Sequence, residues 1–171
     1  APSGLGVIKA GAVLLATGVR ERPRSARLIP GTRPQGVFTT GSLQRFVYQE
    51  HLPVGKRAVI IGAELVSLSA LMTLGHAGMK CVMMTTEESK HQIEFPYIVM
   101  KWAVVDVLTR TPIITNTRVT NIFGHKRVEG IELTRSRLLK SFYGSPNAEE
   151  LMQTSEVFTV ECDTVIFTGN W

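Results

Sequence analysis

The chain is 171 residues long with 44% hydrophobic content, enough to bury one sizeable core at close to the usual size of a single domain. Its formal charge of +5 is spread along the sequence and is densest in one loop, at Arg20, Arg22, Arg24, Arg27 and Arg33. A nucleic-acid footprint needs a basic patch on one face, so no nucleic-acid partner is expected. No apolar run approaches the length of a membrane span.

Cys81 and Cys162 stand far apart inside apolar runs, with neither a C-x-x-C pair nor metal-ligand spacing. The expectation is two buried thiols, no metal and a reducing, cytoplasmic setting. The chain begins Ala1-Pro2-Ser3 without an initiator Met or a signal pattern, which suits a piece of a longer or processed polypeptide.

Ala12–Ala16 is a continuous apolar run ending in Thr17-Gly18 and reads as a short buried strand feeding a turn. Pro23, Pro30, Gly31, Pro34 and Gly36 make a loop to about residue 37. Ser42 then opens a helix over Leu43–His51, stopped by Pro53 and Gly55. Ala58–Ile61 predicts a buried strand, and Leu65, Leu68, Leu71, Met72 and Leu74 recur at helical spacing. Gly75 and Gly78 end that helix, and Cys81–Met84 forms the next strand. Strand, tight turn, helix and strand over this length is a βαβ unit, whose crossover joins parallel strands covered by helices.

Beyond it, Thr86–Glu94 is polar, and Pro96 is expected in the first turn of a helix running to about Leu108. Pro112–Ile114 resumes strand character. Val119–Phe123 and Val128–Leu133 flank Gly124-His125-Lys126 as an antiparallel hairpin. Residues 135–155 read as a mobile excursion, and Val157–Val160 and Thr164–Phe167 as closing strands. The fold class is therefore α/β, a Rossmann-like mainly parallel sheet with a small antiparallel hairpin layer.

The βαβ turn carries the chemistry. A dinucleotide fingerprint reads G-x-G-x-x-G, whereas this turn reads Gly62, Ala63, Glu64, Leu65, Val66, Ser67. Gly62 can make the tight turn, and Ser67 is small enough for close helix–strand approach. Glu64 falls where the backbone should meet the pyrophosphate. Two unit charges about 4 Å apart repel by roughly 4 kcal/mol at an effective dielectric of ~20, enough to cancel what a helix N-terminus offers a phosphate. An inward Glu64 therefore predicts poor dinucleotide affinity, whereas a Glu64 that caps its helix or bonds a neighbouring chain would leave the unit as scaffold.

Thr85 occupies the position from which an acidic residue would reach the adenine ribose. Glu87 and Glu88 come slightly late, and Lys90 and His91 could attract a 2′-phosphate, so NAD and NADP are not distinguished. His51, His76, His91 and His125 lack metal or triad spacing, Tyr97 and Trp102 suit a core or an interface, and no catalytic residue is nominated.

The two ends resemble each other, Ala12-Val13-Leu14-Leu15-Ala16-Thr17-Gly18 against Asp163-Thr164-Val165-Ile166-Phe167-Thr168-Gly169. The first, with Arg22-Pro23 after it, resembles the segment that leaves the FAD domain in the glutathione-reductase-like superfamily of pyridine nucleotide-disulfide oxidoreductases; the second is similar to the segment that re-enters it. Between them that superfamily inserts an NAD(P)-binding domain of βαβ units plus an antiparallel hairpin, matching the order here over nearly the whole chain. Gly62–Ser67 with Arg20–Pro23 looks more like the branch containing amine and glycerol-phosphate dehydrogenase subunits than like the disulfide reductases, whose paired redox cysteines are missing.

The resemblance implies residues 1–40 as flavin-domain segment and linker, 41–162 as the NAD(P)-binding-type domain and 163–171 as the start of the return. It implies Gly62, Ala63, Glu64, Ser67, Thr85 and Glu87 at a nucleotide site, with NAD(P) in doubt because of Glu64. Thr17, Gly18, Thr168 and Gly169 would touch FAD, but they cannot hold it alone, since the superfamily's FAD fingerprint would lie before Ala1. Expected partners are the remainder of a parent flavoprotein and a second copy through exposed flavin-domain edges. The chain itself is expected to catalyse nothing. The competing expectations are a non-catalytic scaffold or self-association domain and, disfavoured by the hairpin and the Thr-Gly ends, a methyltransferase or other Rossmann-like enzyme.

Overall fold

A computed structural model describes residues 6–16, 21–138 and 153–169. Its centre is a five-stranded, all-parallel sheet in the order β1 (Val37–Thr39), β8 (Thr164–Phe167), β2 (Arg57–Ile61), β3 (Lys80–Thr85) and β4 (Ile113–Ile114). The expected parallel pairing of Ala58–Ile61 with Cys81–Met84 holds, Ala58 opposite Cys81 and Ile60 opposite Met84. β5 (Thr117–Phe123), β6 (Gly130–Leu138) and β7 (Gln153–Glu161) form a separate antiparallel sheet.

Strand alternation divides the core between two layers. Ala58 and Ile60 of β2, Ile166 of β8 and Met84 of β3 face Leu43, Leu68, Leu71 and Leu74 of the helices. Val59, Val165, Phe167 and Met83 face Val119, Ile122, Ile131 and Leu133 of the antiparallel sheet. A strand covered on both faces must be apolar throughout, which is why the continuous runs at Ala58–Ile61 and Thr164–Phe167 are legible. Fully burying a side chain the size of Phe167 contributes about 1.5–3 kcal/mol.

α1 (Thr40–Gln44, continuing as a wider π-type turn over Arg45–Gln49) starts earlier than Ser42 because Thr39 is its cap. The Thr39 N–H donates to Ser42 Oγ at 2.9 Å, and the Ser42 N–H donates back to Thr39 Oγ1. α2 (Leu65–His76) buries Leu68, Leu71 and Leu74 together with the small Ser67, Ala70 and Thr73, and stops where Gly78 takes φ 68°. α3 (Ile98–Lys101, continuing as a π-type helix over Trp102–Thr109) begins after Pro96, so that proline precedes the first turn.

Four other expectations need correction. Ala12–Ala16 forms no strand, and Val13, Leu14 and Leu15 are 78–91% exposed. β1 stands between the loop expected to about residue 37 and the helix expected from Ser42, where three half-buried residues make too short a run to signal a strand. Residues 135–138 and 153–155 are strand rather than excursion, and 139–152 lie outside the described residues. The resemblance implies that Thr164–Phe167 lies beside Ala12–Ala16 where the neighbouring domain begins; instead it lies between β1 and β2, with all four residues buried.

Among the described residues no helix is long and apolar enough to cross a membrane, and no group of three His, Cys, Asp or Glu could hold a metal.

Candidate nucleotide site

The carboxyl ends of β2, β3 and β8 open into a cleft of about 340 Å³ lined by Gly62, Glu64, Thr85, Glu87, Thr168 and Gly169, with Arg27 and Gln92 at its sides. This is where open parallel sheets bind ligands. β2 delivers Gly62 at φ 141°, and its N–H donates to Thr85 O at 2.7 Å, tying the turn to β3. Ala63 is buried, and its carbonyl accepts from the Gln92 N–H at 2.8 Å, so the chain after β3 folds over the turn. Glu64 is the extended residue that caps α2; its N–H donates to Ser67 Oγ at 3.2 Å.

Ser67 is fully buried, and its hydroxyl lies 2.6 Å from that of Thr168. Thr168 in turn donates its hydroxyl to Ile61 O at 3.2 Å and its N–H to the same carbonyl at 2.9 Å. Strand β8 is thereby stitched to the fingerprint turn, and Gly169 follows in the left-handed region at φ 61°.

The Glu64 carboxylate lies between those two glycines. A β-carbon placed on Gly169 would stand 2.8 Å from Glu64 Cδ, and one on Gly62 would stand 2.7 Å from Glu64 Oε2 and collide with the Thr168 hydroxyl. Both positions therefore require glycine for space as well as for φ. Glu64 Oε1 is buried, and among the described residues it has no hydrogen-bond partner. A fingerprint cradle presents empty space and free N–H groups to a pyrophosphate; here a carboxylate fills it. The residues present do not fit a dinucleotide's phosphates.

Arg27, from a short helical turn over Arg24–Arg27, closes the cleft on the other side. Its Nη2 donates to Thr168 O at 2.9 Å and to Gly169 O at 2.6 Å, and its guanidinium lies 5.1 Å from the Phe167 ring centroid. Burial draws its pKa below the arginine range, while Glu64 pulls the other way. Nothing in the sequence singles Arg27 out of the basic loop, because the carbonyls it serves are over 140 residues away.

Of the other expected residues, Thr85 lines the cleft but is fully buried, with its hydroxyl donated to Thr117 O at 3.3 Å. Glu87 sits at the rim, 3.9 Å from exposed Arg118, a solvent-screened pair. Thr168 and Gly169, nominated for flavin, join Gly62, Glu64 and Ser67 in one cluster. Thr17 and Gly18 lie outside the described residues. A larger hollow, about 730 Å³, is bounded by Pro23, Ile29, Pro34 and Phe38. The Arg24 beside it spends its guanidinium on the carbonyls of Ile29, Pro30 and Thr32.

No protein-family model matches the sequence, and no curated protein matches it. Solved structures do. A NAD-dependent persulfide reductase from A. fulgidus superposes with a TM-score of 0.55 at 16% identity, over 88% of this chain and 24% of its own. Thioredoxin reductase from Giardia duodenalis gives 0.53 at 15%, over 78% and 35%. FprA, a Mycobacterium tuberculosis oxidoreductase described with NADP+, gives 0.53 at 14%, over 82% and 46%. Such identities establish shared fold, and the chain spans less than half the length of each of these proteins.

Proposed function

We propose that this chain is the nicotinamide-nucleotide-type domain of a larger FAD-dependent oxidoreductase, with its own dinucleotide turn closed by Glu64. The observation that carries the reading is the Glu64 carboxylate between Gly62 and Gly169 on an otherwise regular βαβ turn. A phosphate entering there meets a fixed like charge and no room, and roughly 4 kcal/mol of repulsion offsets the attraction of the α2 N-terminus. In this reading the chain's share in the parent is structural. The nucleotide-type domain takes in β1 and β8 together with residues 41–162, and the chain before Val37 and beyond Phe167 connects it to the flavin domain.

FAD belongs to the parent and is held mainly by residues outside this chain. The exposed Val13, Leu14 and Leu15 support a neighbour that covers them, the remainder of the parent polypeptide. A reducing, cytoplasmic setting agrees with two unpaired buried cysteines whose thiols burial pushes up to about 12.

Calorimetric titration with NADH and NADPH at one fixed salt concentration tests the reading. The native chain binds both weakly or not at all. Glu64→Gly removes bulk and charge together and recovers ~1–3 kcal/mol for at least one of them, less than the bare repulsion because solvent screens it. Tight binding by the native chain, or a folded Glu64→Gly variant with no gain, overturns it.

A further inference from the structure

We propose that the outward face of helix 98–109 is the surface through which two copies of this chain pair, antiparallel, about a two-fold axis near Trp102. The inner side of this helix is core: Val105 is fully buried, and Met100 and Val104 pack against the main cluster. The outer side is apolar too, with Val99 63%, Trp102 61% and Val107 53% exposed, extended by Phe95, Tyr97 and Leu108 at 84, 48 and 78%. Surface helices carry charge on their outer side, and a helix apolar all round is covered all round. These side chains expose on the order of 800 Å², about what one partner contributes to a standard specific interface and more than isolated surface residues explain.

Charge selects a second copy in one orientation. Within the face, Lys101 and Asp106 neutralise each other at 2.9 Å. The remaining charges stand at opposite ends, Glu94 before the first turn and Arg110 after the last; both are exposed, and among the described residues neither has an ion-pair partner. Antiparallel pairing brings each Glu94 to the other copy's Arg110 twice over and opposes the helix dipoles, whereas parallel pairing sets like against like. This pairing does not depend on what the dinucleotide turn binds.

Sedimentation velocity on the full chain, from about 1 to 100 µM, reads the result as a doubling of the 18.8 kDa mass. Trp102→Glu weakens the dimer at least ~100-fold, while Val157→Glu, at a 59% exposed position on β7, leaves it unchanged. Glu94→Arg or Arg110→Glu alone weakens it by about tenfold, and the two together restore it to within about threefold. Melting curves establish that each variant is folded. A single 18.8 kDa species throughout assigns the face to another partner, such as the rest of the longer protein, and overturns the proposal. So does a dimer indifferent to Trp102→Glu, and charge swaps that fail to compensate overturn the antiparallel arrangement.

Discussion

Ala12–Gly18 and Asp163–Gly169 are nearly the same phrase written twice, and where both are described they have opposite fates. Val165, Ile166 and Phe167 are at most 1% exposed in the middle of the sheet, while Val13, Leu14 and Leu15 stand in solvent. The apolar residues do not explain the difference, since both copies have them. What precedes them does.

Asp163 receives the backbone N–H groups of Lys56 and Arg57 at 2.9–3.1 Å and the Thr164 hydroxyl at 2.8 Å, fixing the register of β8 beside β2. Ala12 and Val13 stand at the equivalent places and can accept none of these. An apolar run is a strand only where something pins it to an edge.

Substitution at matched positions sharpens this contrast. Ile166→Ala removes a fully buried side chain and is expected to cost ~2–5 kcal/mol in denaturant unfolding, whereas Leu15→Ala stays within about 0.5 kcal/mol. Equal effects would break the comparison.

Asp163→Ala removes the charge-assisted hydrogen bonds to two exposed backbone N–H groups and should cost about 1.5–3 kcal/mol, with a pH signature. Burial alone would raise the Asp163 pKa, but the Thr164 hydroxyl, the Arg57 and Lys56 N–H groups and Arg127 outweigh it and hold the carboxyl below its usual range. A carboxylate depressed in the folded state stabilises above its unfolded pKa of about 3.9, and that contribution is lost as pH falls through the lower folded value. The native and Asp163→Ala stabilities should therefore converge in acid; parallel curves from pH 7 to pH 2 would contradict the assignment.

A smaller effect, about 1–2 kcal/mol, is expected of Thr168→Val, which leaves the Ser67 hydroxyl without its partner at 2.6 Å while keeping side-chain volume. Thermal unfolding measures it, and no change would show that β8 is not tied to the turn through that pair.

Much of the fold was legible because β2, α2 and β3 are long, apolar and punctuated by glycine at Gly62 and Gly78. β1 was not, being three half-buried residues, and Ala12–Ala16 misled because periodicity records apolarity and not a pairing partner. At the site, Gly62, Glu64 and Ser67 could be read from one contiguous motif. Arg27 could not, and Thr168 and Gly169 were nominated for another cofactor, because only the sheet order β8-β2-β3 carries the end of the chain to the turn. Thr85 was correctly placed at the strand end, but sequence gives no sign that its hydroxyl is already spent on Thr117.

The central claim is a position, the Glu64 carboxylate inside its own fingerprint turn. A high-resolution crystal structure of the native chain measures it most directly. The expected result is a Glu64 carboxylate seated between Gly62 and Gly169, in the space a β-carbon on either would need, beside the 2.6 Å Ser67–Thr168 hydroxyl pair. A Glu64 side chain swung out to solvent, leaving an open cradle over Gly62 with the α2 N–H groups facing it, would contradict it.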